Sequence, residues 1–147
     1  MTQAKRDMIL IDIPRLPPSK NTYLGRHWAT QHKIFNTWRK VMAFHPLRHT
    51  WQAIYGPVVV EIEFHLPNRR RVDAVPNMLG FPPLLDCLTP ARVDLPGPGK
   101  RGRAKFGLGL IEDDCCTKCR VIAAEPVIDG AQRTIIRIWS ISEQEGR

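Results

Sequence analysis

Residues Val58–Leu66 read VVVEIEFHL, and the alternation within this stretch decides the fold class. Successive side chains of a strand point to opposite faces of its sheet. Val58, Val60, Ile62, Phe64 and Leu66 therefore share one face, and Val59, Glu61, Glu63 and His65 share the other. The first set is wholly apolar and meets a core. The second carries charge and reads as solvated or functional. A strand of this kind belongs to a sheet covered on one side.

Upstream, Met8–Ile13 (MILIDI) is a second apolar run that stops at Pro14 and reads as the first strand. Leu16-Pro17-Pro18-Ser19-Lys20-Asn21 follows as a rigid extended connection, its prolines fixing the backbone and Asn21 able to close a turn. From about Trp28 to Phe44 glycine and proline vanish. Ile34, Phe35, Trp38, Val41 and Met42 recur there at steps of three and four, which predicts an amphipathic helix. Its other face, His32, Lys33, Asn36, Arg39 and Lys40, is basic.

Downstream, Arg69-Arg70-Arg71-Val72-Asp73 leaves the strand, and Met78–Leu88 can hold a short helix, although Gly80, Pro82 and Pro83 oppose it. Thr89 to Gly109 is rich in glycine and proline and contains Lys100, Arg101, Arg103 and Lys105, which predicts a long basic loop. Two further strands are expected at Arg120–Val127 and Arg133–Ile141, joined through Asp129-Gly130. The order β-α-β-α-β-β predicts an α+β fold, a single mixed sheet covered by helices, in one domain spanning 1–147.

The 147 residues suit one domain that buries its own core without disulfide or metal staples. Lys and Arg outnumber Asp and Glu by 22 to 14, a formal net charge of +8. Such a surplus favours polyanions, because each phosphate contact releases condensed counterions. No run reaches the roughly 18 apolar residues of a membrane span, and the polar start, Met1 to Asp7, is not that of a signal peptide. Three of the four cysteines, Cys115, Cys116 and Cys119, crowd together far from Cys87. That spacing is no secreted disulfide framework and suits a reducing cytoplasm.

Chemistry concentrates in three features: the arginine run ending in Asp73, the triplet Glu112-Asp113-Asp114 before a strand, and the basic loop between them. Carboxylates meeting from distant segments can hold Mg²⁺ through hard oxygens, and a metal-bound water can then attack a phosphodiester. Flanking arginines would grip the backbone beside the scissile phosphate. Each feature also has a plainer reading: a surface ion pair at Asp73, a solvated turn or cap at 112–114, a solvated tip at Lys100–Lys105.

In order and spacing, PPSKN at 17–21, HLPNRRRVDA at 65–74, PLLDCL at 83–88 and IEDD at 111–114 resemble the RusA family of Holliday junction resolvases. The resemblance runs from about Ile9 to Trp139. It implies a homodimer that binds four-way DNA junctions and nicks two strands symmetrically, with Mg²⁺, or Mn²⁺, held by acids. It implies catalytic roles for Asp73 and Asp114 and metal ligation by Asp73, Asp86, Asp113 and Asp114. With the basic stretches, DNA contact is expected from Lys20, Asn21, Arg69, Arg70, Arg71, Lys100, Arg101, Arg103 and Lys105.

Three positions depart from the family pattern. Val75 stands where a second acid is expected, and Pro82 where a lysine is expected, with Pro76 in place of an asparagine. Valine cannot ligate a cation and proline carries no charge. Glu112, Glu61 or Glu63 could supply the lost ligand, and Lys100 or Lys105 the lost cation. Two alternatives follow: a branched-DNA-binding module of the same fold with impaired catalysis, and a zinc-stabilised nucleic-acid-binding protein using Cys87, Cys115, Cys116 and Cys119. Against zinc, one Cys-x-x-Cys is a weak signal, and Cys87 and Cys119 sit in apolar surroundings. Trp28, Trp38, Trp51 and Trp139 read as core or interface anchors, although an exposed one could stack on an unpaired base.

Overall fold

The computed structural model describes residues 8–94, 98, 103–115 and 117–141. Its centre is a mixed five-stranded sheet, in the spatial order β1 (Met8–Ile13), β7 (Arg133–Ser140), β2 (Val58–Leu66), β5 (Cys119–Ala123), with β6 (Val127–Ile128) also on β2. β7 runs antiparallel to both β1 and β2, whereas β5 and β6 are parallel to β2. The parallel strands need crossovers, and β2 reaches β5 through all the elements between Arg69 and Lys118.

The expected alternation holds along β2. Val58, Val60, Ile62, Phe64 and Leu66 are buried, and Glu61, Glu63 and His65 are half-buried on the opposite face. Val59 is buried as well, because its antiparallel partner is Trp139. β1 repeats the pattern: Ile9, Ile11 and Ile13 go inward, and Met8 and Leu10 face outward. The inward sides of these strands join Trp38, Met42, Phe81, Leu84 and Leu88 in one core. Helices thus cover one face of the sheet.

The covering helix is α2 (Trp28–Ala43), close to its predicted bounds. His27 caps it, Nδ1 accepting from the Ala29 N–H at 3.2 Å. Prolines break the next helical stretch into α3 (Val75–Leu79) and α4 (Pro83–Asp86), each starting at or beside a proline, where the missing N–H costs nothing. A four-residue α1 (Lys20–Tyr23) occupies the place where Asn21 was expected to close a turn. Tyr23, Phe35 and Trp38 all meet the Phe81 ring, with centroids 5.7, 5.4 and 5.7 Å away. Phe81 therefore fixes α4 to α1 and α2.

Two expectations need correction. The predicted loop from Thr89 to Gly109 is in large part a hairpin, β3 (Pro90–Asp94) against β4 (Arg103–Leu108). It is a second, two-stranded sheet, so the architecture is not a single sheet. Proline can start an edge strand, and a bulge accommodates Gly107. A Cβ at 107 would stand 2.1 Å from the Thr89 carbonyl oxygen, so the chains approach here as only glycine allows. The predicted strand Arg120–Val127 is divided into β5 and β6. Pro126 has no N–H for the ladder, although Ala124 still donates to the Ile62 carbonyl at 2.9 Å.

Candidate functional site

Two hydrogen bonds after α4 tie the turn that carries Asp113 and Asp114 to the residues following the helix that carries Asp86. The N–H groups of Leu110 and Ile111 donate to the Leu88 carbonyl at 2.8 and 3.2 Å. Both side chains are buried, so the turn after them is held against the end of α4. Asp86 ends that helix, and Asp113 and Asp114 follow Ile111 closely. Thr89 donates from its hydroxyl to the Asp86 carbonyl at 2.8 Å, tightening the exit.

The electrostatics record this proximity. Burial, the hydrogen-bonded Asp113 and the nearby Asp86 push the Asp114 carboxyl above the usual carboxylate range. Asp113 is held below that range, first by the Asp114 N–H, then by its bond to the Asp114 side chain and by the Cys115 N–H. One member of the pair thus keeps a proton more tightly and the other releases it, as expected when carboxylates share a site. A cation would relieve the crowding.

Asp73 lies in a different segment, between β2 and α3. It is exposed in a 3₁₀ turn spanning Arg69–Ala74, and its carboxylate forms no hydrogen bond or ion pair with any described residue. Arg69, Arg70 and Arg71 are exposed in the same turn. Among the described residues, no three His, Cys, Asp or Glu side chains converge to hold a metal ion. The carboxylates of Asp86, Asp113 and Asp114 still offer the hard oxygens that Mg²⁺ takes. That ion is commonly held by one or two carboxylates, with water and phosphate oxygens completing its shell.

The suggested substitutes are occupied elsewhere. Glu112 Oε1 accepts from the Gly56 N–H at 3.0 Å, and its Oε2 lies 3.4 Å from Lys118 Nζ. These partners hold its carboxyl below the usual range. Glu61 and Glu63 lie on the open face of the sheet, opposite the side on which α4 packs. There Arg137 Nη1 reaches Glu61 at 3.0 Å and Glu63 at 3.5 Å. Val75 opens α3 and Pro82 precedes α4, so neither backbone position is unusual. Lys100 and Arg101, and the side chains of Arg103 and Lys105, lie outside the described residues.

Lys20 and Asn21 are exposed on α1. The Lys20 chain lies over the end of α3, with Nζ 3.7 Å from the point where a Cβ on Gly80 would stand. Of the cysteines, Cys87 and Cys119 are buried, and burial pushes the Cys87 thiol up to about 12 and raises that of Cys119. Both behave as small apolar side chains. Cys115 is exposed and contacts the Thr117 hydroxyl at 3.1 Å, while Cys116 lies outside the described residues.

One feature had no place among the expected site residues. A groove of about 790 Å³ runs along the basic face of α2 and is closed on its far side by Phe106 of β4. A smaller cleft continues from it, sharing Arg39 and Phe106 and reaching Asp86 and Arg92. The basic face of α2 was readable as a helix period. Phe106 was not, because it lay in the segment expected to be a loop.

No protein-family model matches this chain, and no curated protein does. Among the described residues, no helix is long and apolar enough to cross a membrane.

Proposed function

We propose that this chain binds branched DNA and cleaves it as a metal-dependent, structure-specific endonuclease of the RusA kind, acting as a homodimer on four-way junctions. The observation that supports this most is a groove whose described lining is basic and free of acid, continued by a smaller cleft that Asp86 lines, with Asp86 near enough to Asp114 for its charge to act on it. Phosphate is drawn to the cations, and the acids take no part in gripping it.

Asp86 and Asp114 would hold Mg²⁺, with Asp113 beside them. The ion would activate a water molecule and stabilise charge on the phosphate. Arg39 stands where it can orient the backbone next to Asp86. Asp73 and its three arginines would act from the periphery by gripping the flanking duplex.

A junction-nicking assay in Mg²⁺ and Mn²⁺ tests the reading. Asp114→Asn and Asp86→Asn should each reduce nicking at least about a hundredfold while leaving junction binding intact. Asp73→Asn should reduce it less. A second reading, a branched-DNA-binding module of the same fold, is favoured by Val75 and Pro82, which leave the 75–86 segment without a second acid and without a lysine. Tight junction binding with no nicking at any metal concentration would establish that reading instead. Sedimentation of the free protein tests the dimer, and a monomer at micromolar concentration that stays monomeric on the junction would refute it.

A further inference from the structure

The groove along α2 is lined by basic and aromatic side chains. Its chemistry has two parts. Lys33, Arg39 and Lys40 supply positive charge along one wall, and among its described lining residues there is no acid to neutralise them. The whole of α2 contains neither Asp nor Glu. Trp28 at the helix start, 60% exposed, and Phe106 across the groove supply aromatic surface. Phe106 is steadied by the Arg48 guanidinium, 5.4 Å from its ring centroid.

Cations that follow a backbone, interleaved with aromatic faces, are how proteins hold unpaired strands, since every base has a π-face. In a duplex the base faces are stacked on one another and are not offered to a side chain. The cleft beyond Arg39 leads to Asp86, so a strand in the groove would be directed toward that acid.

We propose that this groove is a binding site for single-stranded DNA, with Trp28 stacking on a base and Lys33, Arg39 and Lys40 following the phosphates. The site rests on the DNA-cleaving reading above and extends it. The substrate would then present an unpaired segment beside the point of cleavage, such as the opened centre of a junction or a flap.

The test is fluorescence anisotropy of the full chain with labelled oligo(dT), a blunt duplex of equal length, oligo(rU) and a four-way junction. Wild-type protein should bind oligo(dT) at least about tenfold more tightly than the duplex. Trp28→Ala should weaken oligo(dT) binding about tenfold, and Trp28→Phe should restore most of it. Lys33→Ala with Lys40→Ala should lower the log–log salt slope on oligo(dT) by about 1.4, at ~0.7 for each lost single-strand contact. Arg120→Ala, on β5, should change neither value.

Circular dichroism and melting of each variant exclude unfolding as the cause. The groove assignment fails if Trp28→Ala binds oligo(dT) like the wild type, if duplex binds as tightly, or if Arg120→Ala loses as much as the lysine pair. Tighter binding of oligo(rU) than of oligo(dT) also overturns it. A wild-type protein that binds the junction but not oligo(dT) refutes the groove alone. One that binds neither refutes the proposed function as well.

Discussion

The open face of the sheet and the outer face of α2 are both charged, yet they handle charge in opposite ways. On the sheet, cation and anion alternate and nearly every charge has a partner. Arg133 pairs with Asp12 through both oxygens, Arg137 bridges Glu61 and Glu63, and His65 lies between Glu63 and Asp129. On α2 the cations have no acid on their own helix. The first pattern satisfies itself and shapes the strand register. The second leaves a field that draws an external anion. The chain's surplus of +8 therefore matters more around the helix than on the sheet.

Reversing one charge on each face should separate the two roles. Arg39→Glu places an acid in the groove beside Asp86 and should weaken DNA binding about a hundredfold, about 2.7 kcal/mol, with little change in melting temperature. Arg137→Glu should leave DNA affinity within about twofold while lowering the melting temperature, since like charges would face each other across β2 and β7. Equal losses of affinity from the two variants would remove the distinction.

The hairpin carries the groove's far wall, so breaking its seat should harm binding through structure and not through charge. Gly107→Ala drives a methyl group into the Thr89 carbonyl and the Pro90–Ala91 backbone. Overpacking of this kind costs about 1–3 kcal/mol. Phe106 would then shift away from Arg48, and oligo(dT) binding should weaken along with melting temperature. Unchanged melting would show that β3 and β4 can part without cost.

A milder change on the sheet sharpens the same contrast. Arg137→Ala removes the bridge between Glu61 and Glu63, and cross-strand pairs of this sort contribute about 0.2–1 kcal/mol each. Urea denaturation should show a loss of about 1 kcal/mol, with oligo(dT) affinity unchanged.

These elements were not equally legible in the sequence. β2 and α2 were plain because a single buried face imposes a period on the residues, two for the strand and 3.6 for the helix. The hairpin was hidden because its strands lie at an edge, where proline and glycine are tolerated and no apolar period is required. Asp86, Asp113 and Asp114 were identifiable as acids, but the link between their two segments depends on the Leu88 backbone bonds to Leu110 and Ile111, which no spacing rule announces. Asp73 carried the sequence argument through its arginine run, and the fold leaves it exposed in a separate turn. Local pattern predicts which face of an element is buried. It does not predict which loop ends a sheet brings side by side.

The smallest expected effect belongs to His65, and it tests whether the sheet's charges satisfy themselves. Its Nδ1 lies 2.6 Å from Asp129 and its Nε2 2.8 Å from Glu63. Both nitrogens can donate only in the imidazolium. The hydrogen bond to Asp129 is the largest cause raising its proton affinity above the ordinary 6.5, and burial opposes it. Arg133 on β7, the cross-strand partner of His65, and Arg137 further along that strand are the cations facing this cluster, and Asp12 neutralises the first of them. A group whose folded value is raised contributes stability that is complete below its unfolded value and is lost as pH rises through the folded one. The melting temperature should therefore be flat below about pH 6.5 and decline through the neutral range above it. Asp129, held low mainly by its bond to His65, contributes fully above the usual carboxylate range and loses its share as the pH falls below it. His65→Gln should melt lower at pH 6 and lose the decline, whereas Lys33→Ala, on α2, should keep it. A wild-type profile that rises from pH 6 to 8 would mean that His65 is neutral in the folded chain and that the carboxylates beside it are satisfied by the arginines alone.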